Sequence, residues 1–385
     1  MQSEPVVRRL HVTAAVLAAV LAAGCSDSGG SAGTTGSGGT AGFRGTAGTA
    51  GSGGQVPTEP SVPDLPWEAT EFPPLPPVME DVPEARIELG KALFYDPILS
   101  TDRETACATC HSEIWGMSDF LPRSIGHSAG LIAGPDRRGP NVLRRNSPTL
   151  FNLAFRSSLF LDGRTKTLEE QALMPLLTED ELDRDPEEVI ADLAGIAEYA
   201  SLFAAAFPDD PRVTVDNFAA ALAAFQRTFI SNRSLYDGYV DGDLLAFSDE
   251  MVEGMFRFAE MGCDSCHVPP LFESETFADR NVPGVEGIMD EGRAEATEDP
   301  ADLGKFRTPT LRNIKFTEPY FHNGTFRQLD EVVIHELEQG GMPYTDEDAR
   351  LITLFIEKTL NDESRKPRRP AAVPSGLAMP IDERR

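Results

Sequence analysis

The chain has 385 residues, and its 62 acidic against 34 basic side chains leave a net charge of -28. Such an excess repels phosphate backbones and excludes nucleic-acid binding as a function class. A hydrophobic content of 41% is enough for packed cores, the length suggests two domains, and 33 Gly with 30 Pro require long irregular loops.

At the N-terminus, Arg8 and Arg9 precede an apolar run over 12–23 that is too short to span a membrane. The run ends in Leu21-Ala22-Ala23-Gly24-Cys25, which is similar to a bacterial lipoprotein cleavage box, with Leu one place further upstream than usual. Residues 1–24 are therefore expected to be a signal peptide, and Cys25 the lipidated first residue of the mature chain. The other reading is an ordinary secretory signal with an incidental Cys. Ser26, in place of Asp, points by analogy to the outer membrane, so the expected location is the periplasm, with the membrane met only through the lipid. Residues 25–78 read as a linker. Its 26–54 stretch is almost all Gly, Ser, Thr and Ala and cannot bury enough surface to fold, and 56–78 is Pro-rich and extended.

Folded structure is expected from about Pro83, where 85–94 carries apolar residues at helical spacing. A long loop over 112–160 follows, dense in Gly, Pro and Arg, and loops of that length are usually functional. The spacing predicts helices from Lys166, over 186–206 and over 214–230, where Phe218, Leu222, Phe225 and Phe229 stripe one core-facing side. A helix over 248–261 leads into the second half, and 268–327 reads as loop. Two helices close the fold, over 328–338 and 346–360, the latter opened by Thr345 and Asp348 at capping-box spacing. Residues 366–385, rich in Pro and Arg, read as a loose tail. No alternating strand pattern of any length appears, so the fold class is mainly α.

Two pentapeptides carry the chemistry: Cys107-Ala108-Thr109-Cys110-His111 and Cys263-Asp264-Ser265-Cys266-His267. Cys-x-x-Cys-His is the attachment pattern for a c-type haem. The two thiols add across the porphyrin's vinyl groups, and the adjacent imidazole becomes the proximal iron ligand. One such copy could equally mark zinc or a redox dithiol, but two copies in an exported chain point to two covalently bound haem c groups. The fifth cysteine is Cys25, so no thiol is left for a structural disulfide. His127, His322 and His335 are the only spare imidazoles beyond the signal.

Further landmarks stand in order along 85–362: Leu89-Gly90-Lys91-Ala92-Leu93-Phe94, Leu99-Ser100, Arg145-Asn146-Ser147-Pro148-Thr149-Leu150, Asp162-Gly163-Arg164 and Leu168-Glu169-Glu170-Gln171-Ala172. After the second pentapeptide come Pro309-Thr310-Leu311-Arg312-Asn313 and Pro319-Tyr320-Phe321-His322-Asn323-Gly324. In these the chain resembles the bacterial di-haem cytochrome c peroxidases and their MauG-like relatives. The resemblance implies two cytochrome c-like helical haem domains with long loops: 79–230 around a peroxidatic haem and 231–365 around an electron-transfer haem, then the tail 366–385. It also implies hydrogen peroxide as substrate and a small cytochrome c or copper protein as electron donor. Homodimers occur in the family.

By the same resemblance Gln171 and Glu181 match the distal pair of the peroxidatic haem, where a carboxylate moves a proton between peroxide oxygens. Read from the run Glu179-Asp180-Glu181 alone, Glu181 would be a surface acid. His127 stands where the family has a displaceable sixth ligand, although the stretch to Asn146 is longer than in the family. Leu161 stands where many members have a relay Trp, and Trp115 offers no evident substitute. For the second haem's sixth ligand, Glu336 is reached by gap-free counting. His335 is the better ligand chemically and is the residue expected, ahead of Glu336 and then Met342. A calcium ion between the domains is a family feature, and Asn146, Thr317 and Pro319 match its oxygen ligands.

The leading function is peroxide reduction to water at the N-terminal haem, with electrons relayed by the C-terminal haem. The alternatives are a MauG-like oxidase that modifies a partner protein and a non-enzymatic di-haem electron carrier.

Overall fold

Thr167, Thr214, Ser248 and Thr345 each accept a backbone N–H at the start of a helix, and apolar stripes behind those caps build two cores. The computed structural model describes residues 64–68, 70–76, 82–362, 364 and 366–382. The expected signal peptide, Cys25 and most of the linker lie outside the described residues. Within residues 58–385, which form one compact unit, the helices are α1 (Glu84–Tyr95), α2 (Cys107–Cys110), α3 (Leu168–Leu177), α4 (Pro186–Ala194), α5 (Ala197–Ala206), α6 (Val215–Gln226), α7 (Leu235–Val240), α8 (Asp249–Glu260), α9 (Ala294–Thr297), α10 (Leu329–Gly340) and α11 (Asp346–Thr359). Two strands of two residues each, β1 (Phe277–Ala278) and β2 (Phe306–Arg307), pair antiparallel with Phe277 opposite Arg307.

The first core gathers α1 and α3 to α6. Phe218, Leu222, Phe225 and Phe229 are all buried in it, as their spacing predicts. Phe94, Phe225 and Phe229 meet edge to face, with centroids 4.9 to 5.8 Å apart. Helix α1 crosses α6 at Gly90, where an added Cβ would stand 1.9 Å from the Ala221 carbonyl oxygen; only glycine lets these backbones touch. The second core joins α7, α8, α10 and α11 around Phe258, Phe272 and Phe355. No single helix among the described residues is long and apolar enough to cross a membrane.

Three expectations change. The single helix over 186–206 is two, bent by 103° between Ala194 and Ala197. Gly195 is a poor helix former and Ile196 is extended, so Val189 and Leu193 on one side, and Tyr199 and Phe203 on the other, all reach the same core. The tail is not loose. Val373 is buried in the first core, Ser375 Oγ donates to Asp96 at 2.7 Å, and the Ile381 backbone bonds to Leu131 and Ala133 at 2.7 and 2.8 Å. The Pro-rich stretch 64–76 also packs. Trp67 lies against Phe258 and Phe272 and donates its indole N–H to the Tyr236 hydroxyl at 3.1 Å. Both segments are held by a few apolar anchors spaced too irregularly to form a periodic signal.

Candidate active site

In the first pentapeptide the Thr109 hydroxyl accepts the Ala106 N–H at 2.9 Å and opens α2, and the His111 N–H closes the turn on the Cys107 carbonyl at 2.9 Å. His111 Nδ1 lies 2.9 Å from the Met117 carbonyl. A carbonyl can only accept, so Nδ1 carries the proton and Nε2 keeps its lone pair for a metal. Burial holds the imidazole pKa down at about 4, so the ring is neutral as an iron ligand must be. The second pentapeptide repeats the arrangement: the His267 N–H bonds the Cys263 carbonyl at 2.9 Å, and Nδ1 lies 3.1 Å from the Pro309 carbonyl. Burial lowers the pKa of this ring too.

Burial pushes the Cys107 and Cys263 thiols up to about 12 and raises Cys110 as well. Thiols kept protonated by burial are compatible with thioether linkage to a haem.

Around the first site the turn after α3 carries Glu181. The His127 N–H donates to the Glu181 carbonyl at 2.9 Å, which ties that turn to the loop after the pentapeptide. The approach depends on Gly126, whose Cβ would fall 1.8 Å from the Asp180 carbonyl oxygen. Glu181 is half-buried, and desolvation raises its carboxyl above the ordinary range against the pull of Arg164. Its charge reaches both Cys107 and Cys110, so this acid overlooks the first site and is not a solvated surface acid. Gln171, on α3, has its Oε1 buried with no hydrogen-bond partner. An orphaned buried acceptor is costly in a finished interior and is what a bound group would satisfy.

His127 does not present a free nitrogen. Nδ1 is 2.8 Å from Ser128 Oγ, and Nε2 is 3.1 Å from the Glu179 carbonyl and 2.9 Å from Asn141 Nδ2. A ligand role for His127 requires these contacts to break.

The second site opens into a cavity of about 890 Å³ whose wall includes Cys263, Cys266 and His267. Phe258, Leu311, Val332, Val333, Leu337 and Ile356 make it apolar enough for a porphyrin. Glu336 and Met342 stand on the wall, whereas His335 does not. His335 Nε2 is bound at 2.8 Å by the Arg280 carbonyl, and its ring packs on Phe321 and Phe326. The geometry runs against the preference for His335: helical rotation turns residue 336, not 335, toward the cavity. Glu336 is in turn paired with Arg280, at 2.7 Å.

Leu161 lies on the same wall, and its carbonyl accepts the Arg307 N–H at 2.8 Å. Trp115 is committed elsewhere, donating to Asp382 at 2.6 Å. Among the calcium candidates, Asn146 and Pro319 come together: Asn146 Nδ2 sits 2.7 Å from the Leu121 carbonyl and 3.2 Å from the Pro319 carbonyl. Thr317 shares the cavity wall, with its hydroxyl bonded to the Ile314 carbonyl at 3.1 Å. Asn146 here turns its amide N–H toward both carbonyls, so these residues form a hydrogen-bonded cluster, and calcium ligation would require the Asn146 amide to present its oxygen instead. Residue patterns alone overlooked Ser147, whose hydroxyl lies 3.2 Å from His111 Nδ1, because nothing local marks a serine as touching a distant imidazole.

Fold and site together define a helical protein built around two Cys-x-x-Cys-His turns, one in each core. The family model for di-haem cytochrome c peroxidase matches residues 84–244. The chain is 34% identical over 293 residues to the cytochrome c551 peroxidase of Pseudomonas aeruginosa, covering 74% of this chain and 82% of that one. It is 33% identical over 258 residues to the methylamine utilization protein MauG of Methylorubrum extorquens, covering 66% and 69%. Among solved structures, a MauG-like protein associated with microbial copper homeostasis superposes with a TM-score of 0.66 at 26% identity, over 78% of this chain and 97% of that one. The chain belongs to the di-haem cytochrome c peroxidase family. It is an oxidoreductase of the peroxidase class, and haem is its cofactor.

Proposed function

We propose that the chain reduces hydrogen peroxide to water at a haem held covalently by Cys107, Cys110 and His111. Electrons come through a second haem held by Cys263, Cys266 and His267, from a small cytochrome c or copper protein. The observation that carries this division of labour is the placement of Glu181. A half-buried carboxyl with a raised pKa overlooks the first site, while the acid at the second, Glu336, is tied up with Arg280.

Haem iron, when bound, supplies the electrons that break the O–O bond. The chain's own residues handle protons. The Glu181 carboxylate takes the proton from one peroxide oxygen and returns it to the other, so that water rather than hydroxide leaves. Two electrons and two protons are consumed for each peroxide, giving two waters. Its raised pKa brings donation and acceptance closer in energy than they would be for an ordinary carboxylate. Gln171, whose Oε1 has no partner, accepts a hydrogen bond from the bound peroxide. The hydrogen bond from His111 Nδ1 to the Met117 carbonyl keeps the ring neutral and fixed in orientation.

A calcium ion at Asn146, Thr317 and Pro319 belongs to the same proposal, as does lipid anchoring at Cys25 to the periplasmic face of the outer membrane. The deciding experiment mixes the di-haem protein with peroxide and a reduced cytochrome donor, and records absorption in the oxidised, half-reduced and reduced states. Catalytic donor oxidation is expected. Peroxide consumption with modification of a partner protein and no donor turnover would favour the oxidase alternative. Inertness to peroxide would leave only an electron carrier.

A further inference from the structure

Ser147 has one side in each haem site. It is buried, at 6% exposure. Its hydroxyl donates to the Cys110 carbonyl at 2.9 Å and offers a lone pair to His111 Nδ1–H at 3.2 Å, inside the first pentapeptide. Its own carbonyl accepts the Ser118 hydroxyl at 2.7 Å, which fixes the residue in place. The same residue, with Asn146 and Pro148, forms part of the wall of the cavity that holds His267. Next to it, the Asn146 N–H donates to the His322 carbonyl at 2.7 Å. The His322 ring stacks on Phe306, 3.9 Å between centroids, on that wall too.

We propose that Ser147 is the bridge by which electrons pass from the C-terminal to the N-terminal haem. The inference rests on the division of roles proposed above and supplies its missing route. Electron tunnelling decays steeply with path length, and far more steeply across van der Waals gaps than along bonds and hydrogen bonds. From the cavity wall through Ser147, the path is covalent as far as the hydroxyl and then one hydrogen bond to the proximal ligand of the other iron. Leu161 shares the wall, but its side chain is saturated and can make no hydrogen bond. One electron leaves the C-terminal haem, which is oxidised, and enters the N-terminal haem, which is reduced. Ser147 itself is neither oxidised nor reduced, and no proton moves. Ser147 is thus a positioning residue that acts through His111.

The test uses the di-haem holoprotein. A photoexcited flavin injects an electron into the C-terminal haem, and the N-terminal haem's absorption is followed in time. Ser147→Ala should slow the transfer at least several-fold, with both haems still attached. It should also shift the iron–histidine stretch of His111 in the resonance Raman spectrum, because Nδ1 loses an acceptor. Ser147→Thr, which keeps the hydroxyl, should restore both. Transfer at the wild-type rate in Ser147→Ala, or Ser147→Thr as slow as Ser147→Ala, overturns the route while the division of roles stands. If the electron never reaches the N-terminal haem in the wild-type protein, the division of roles fails and the route falls with it.

Discussion

The backbone N–H of His127 donates to the carbonyl of Glu181 at 2.9 Å, so the loop that bears a spare imidazole and the turn that bears the half-buried acid are stitched together. Two consequences can be measured. The junction closes only because residue 126 has no side chain: a Cβ there would stand 1.8 Å from the Asp180 carbonyl oxygen. Gly126→Ala should therefore force the two backbones apart at a cost of roughly 1–3 kcal/mol. Denaturant unfolding of the holoprotein gives the cost. Peroxide turnover should fall further than the lost stability accounts for, because Glu181 moves with the turn.

The raised pKa of Glu181 has a definite sign. Burial favours the neutral form, so in the folded protein the group keeps its proton above the ordinary value of 4.5. Its stability contribution is complete below that value and is lost as pH rises through the folded pKa, because there the folded state binds more protons than the unfolded one. Turnover should run the other way, falling as pH drops through the folded pKa and the proton acceptor fills. Glu181→Gln should flatten that acid limb and lower turnover about a hundredfold to ten-thousandfold. A pH–rate profile of variant against wild type decides the matter, and an unchanged acid limb would remove Glu181 from the mechanism.

Arg137 organises the loop that carries His127. It is 1% exposed, and its guanidinium donates to the carbonyls of Ile125, Gly126, Gly130 and Ile132 and to the Thr105 hydroxyl. Arg137→Met would fill the volume but leave those carbonyls without donors, each costing about 1–3 kcal/mol where water cannot reach. A loss of roughly 3 kcal/mol or more is expected. Hydrogen exchange should locate it in 125–133, with the second core unaffected.

At the second haem, the two neighbouring candidates on α10 should behave differently. His335→Ala should leave the absorption and electron paramagnetic resonance spectra of the C-terminal haem as they are, since that ring faces the Arg280 carbonyl and lies off the cavity wall. Glu336→Gln alters a wall residue and breaks an ion pair with Arg280, so it should shift the haem's spectrum or potential. A spectral change in His335→Ala alone would restore the histidine as ligand.

Local chemistry made much of this protein legible in its sequence. The two Cys-x-x-Cys-His turns are set by residues a single turn apart, and each forms with its histidine at the end of the turn. The capping box at Thr345 and the Phe218–Phe229 stripe likewise follow from spacing within one helix. Tertiary structure decided whatever depends on two distant segments meeting. It brought the half-buried Glu181 within electrostatic reach of Cys107 and Cys110, and it turned Glu336 rather than His335 to the cavity. It also folded the 366–382 segment onto the first core. Ser147 is the sharpest case. Its sequence neighbours mark it only as part of a Pro-containing loop, and its place between the two sites arises because that loop is wall to one and hydrogen-bond partner to the other. A sequence states which groups are available over a few residues, but burial and direction come from packing between segments far apart in the chain. Those two quantities give the two Cys-x-x-Cys-His turns, alike in sequence, different surroundings.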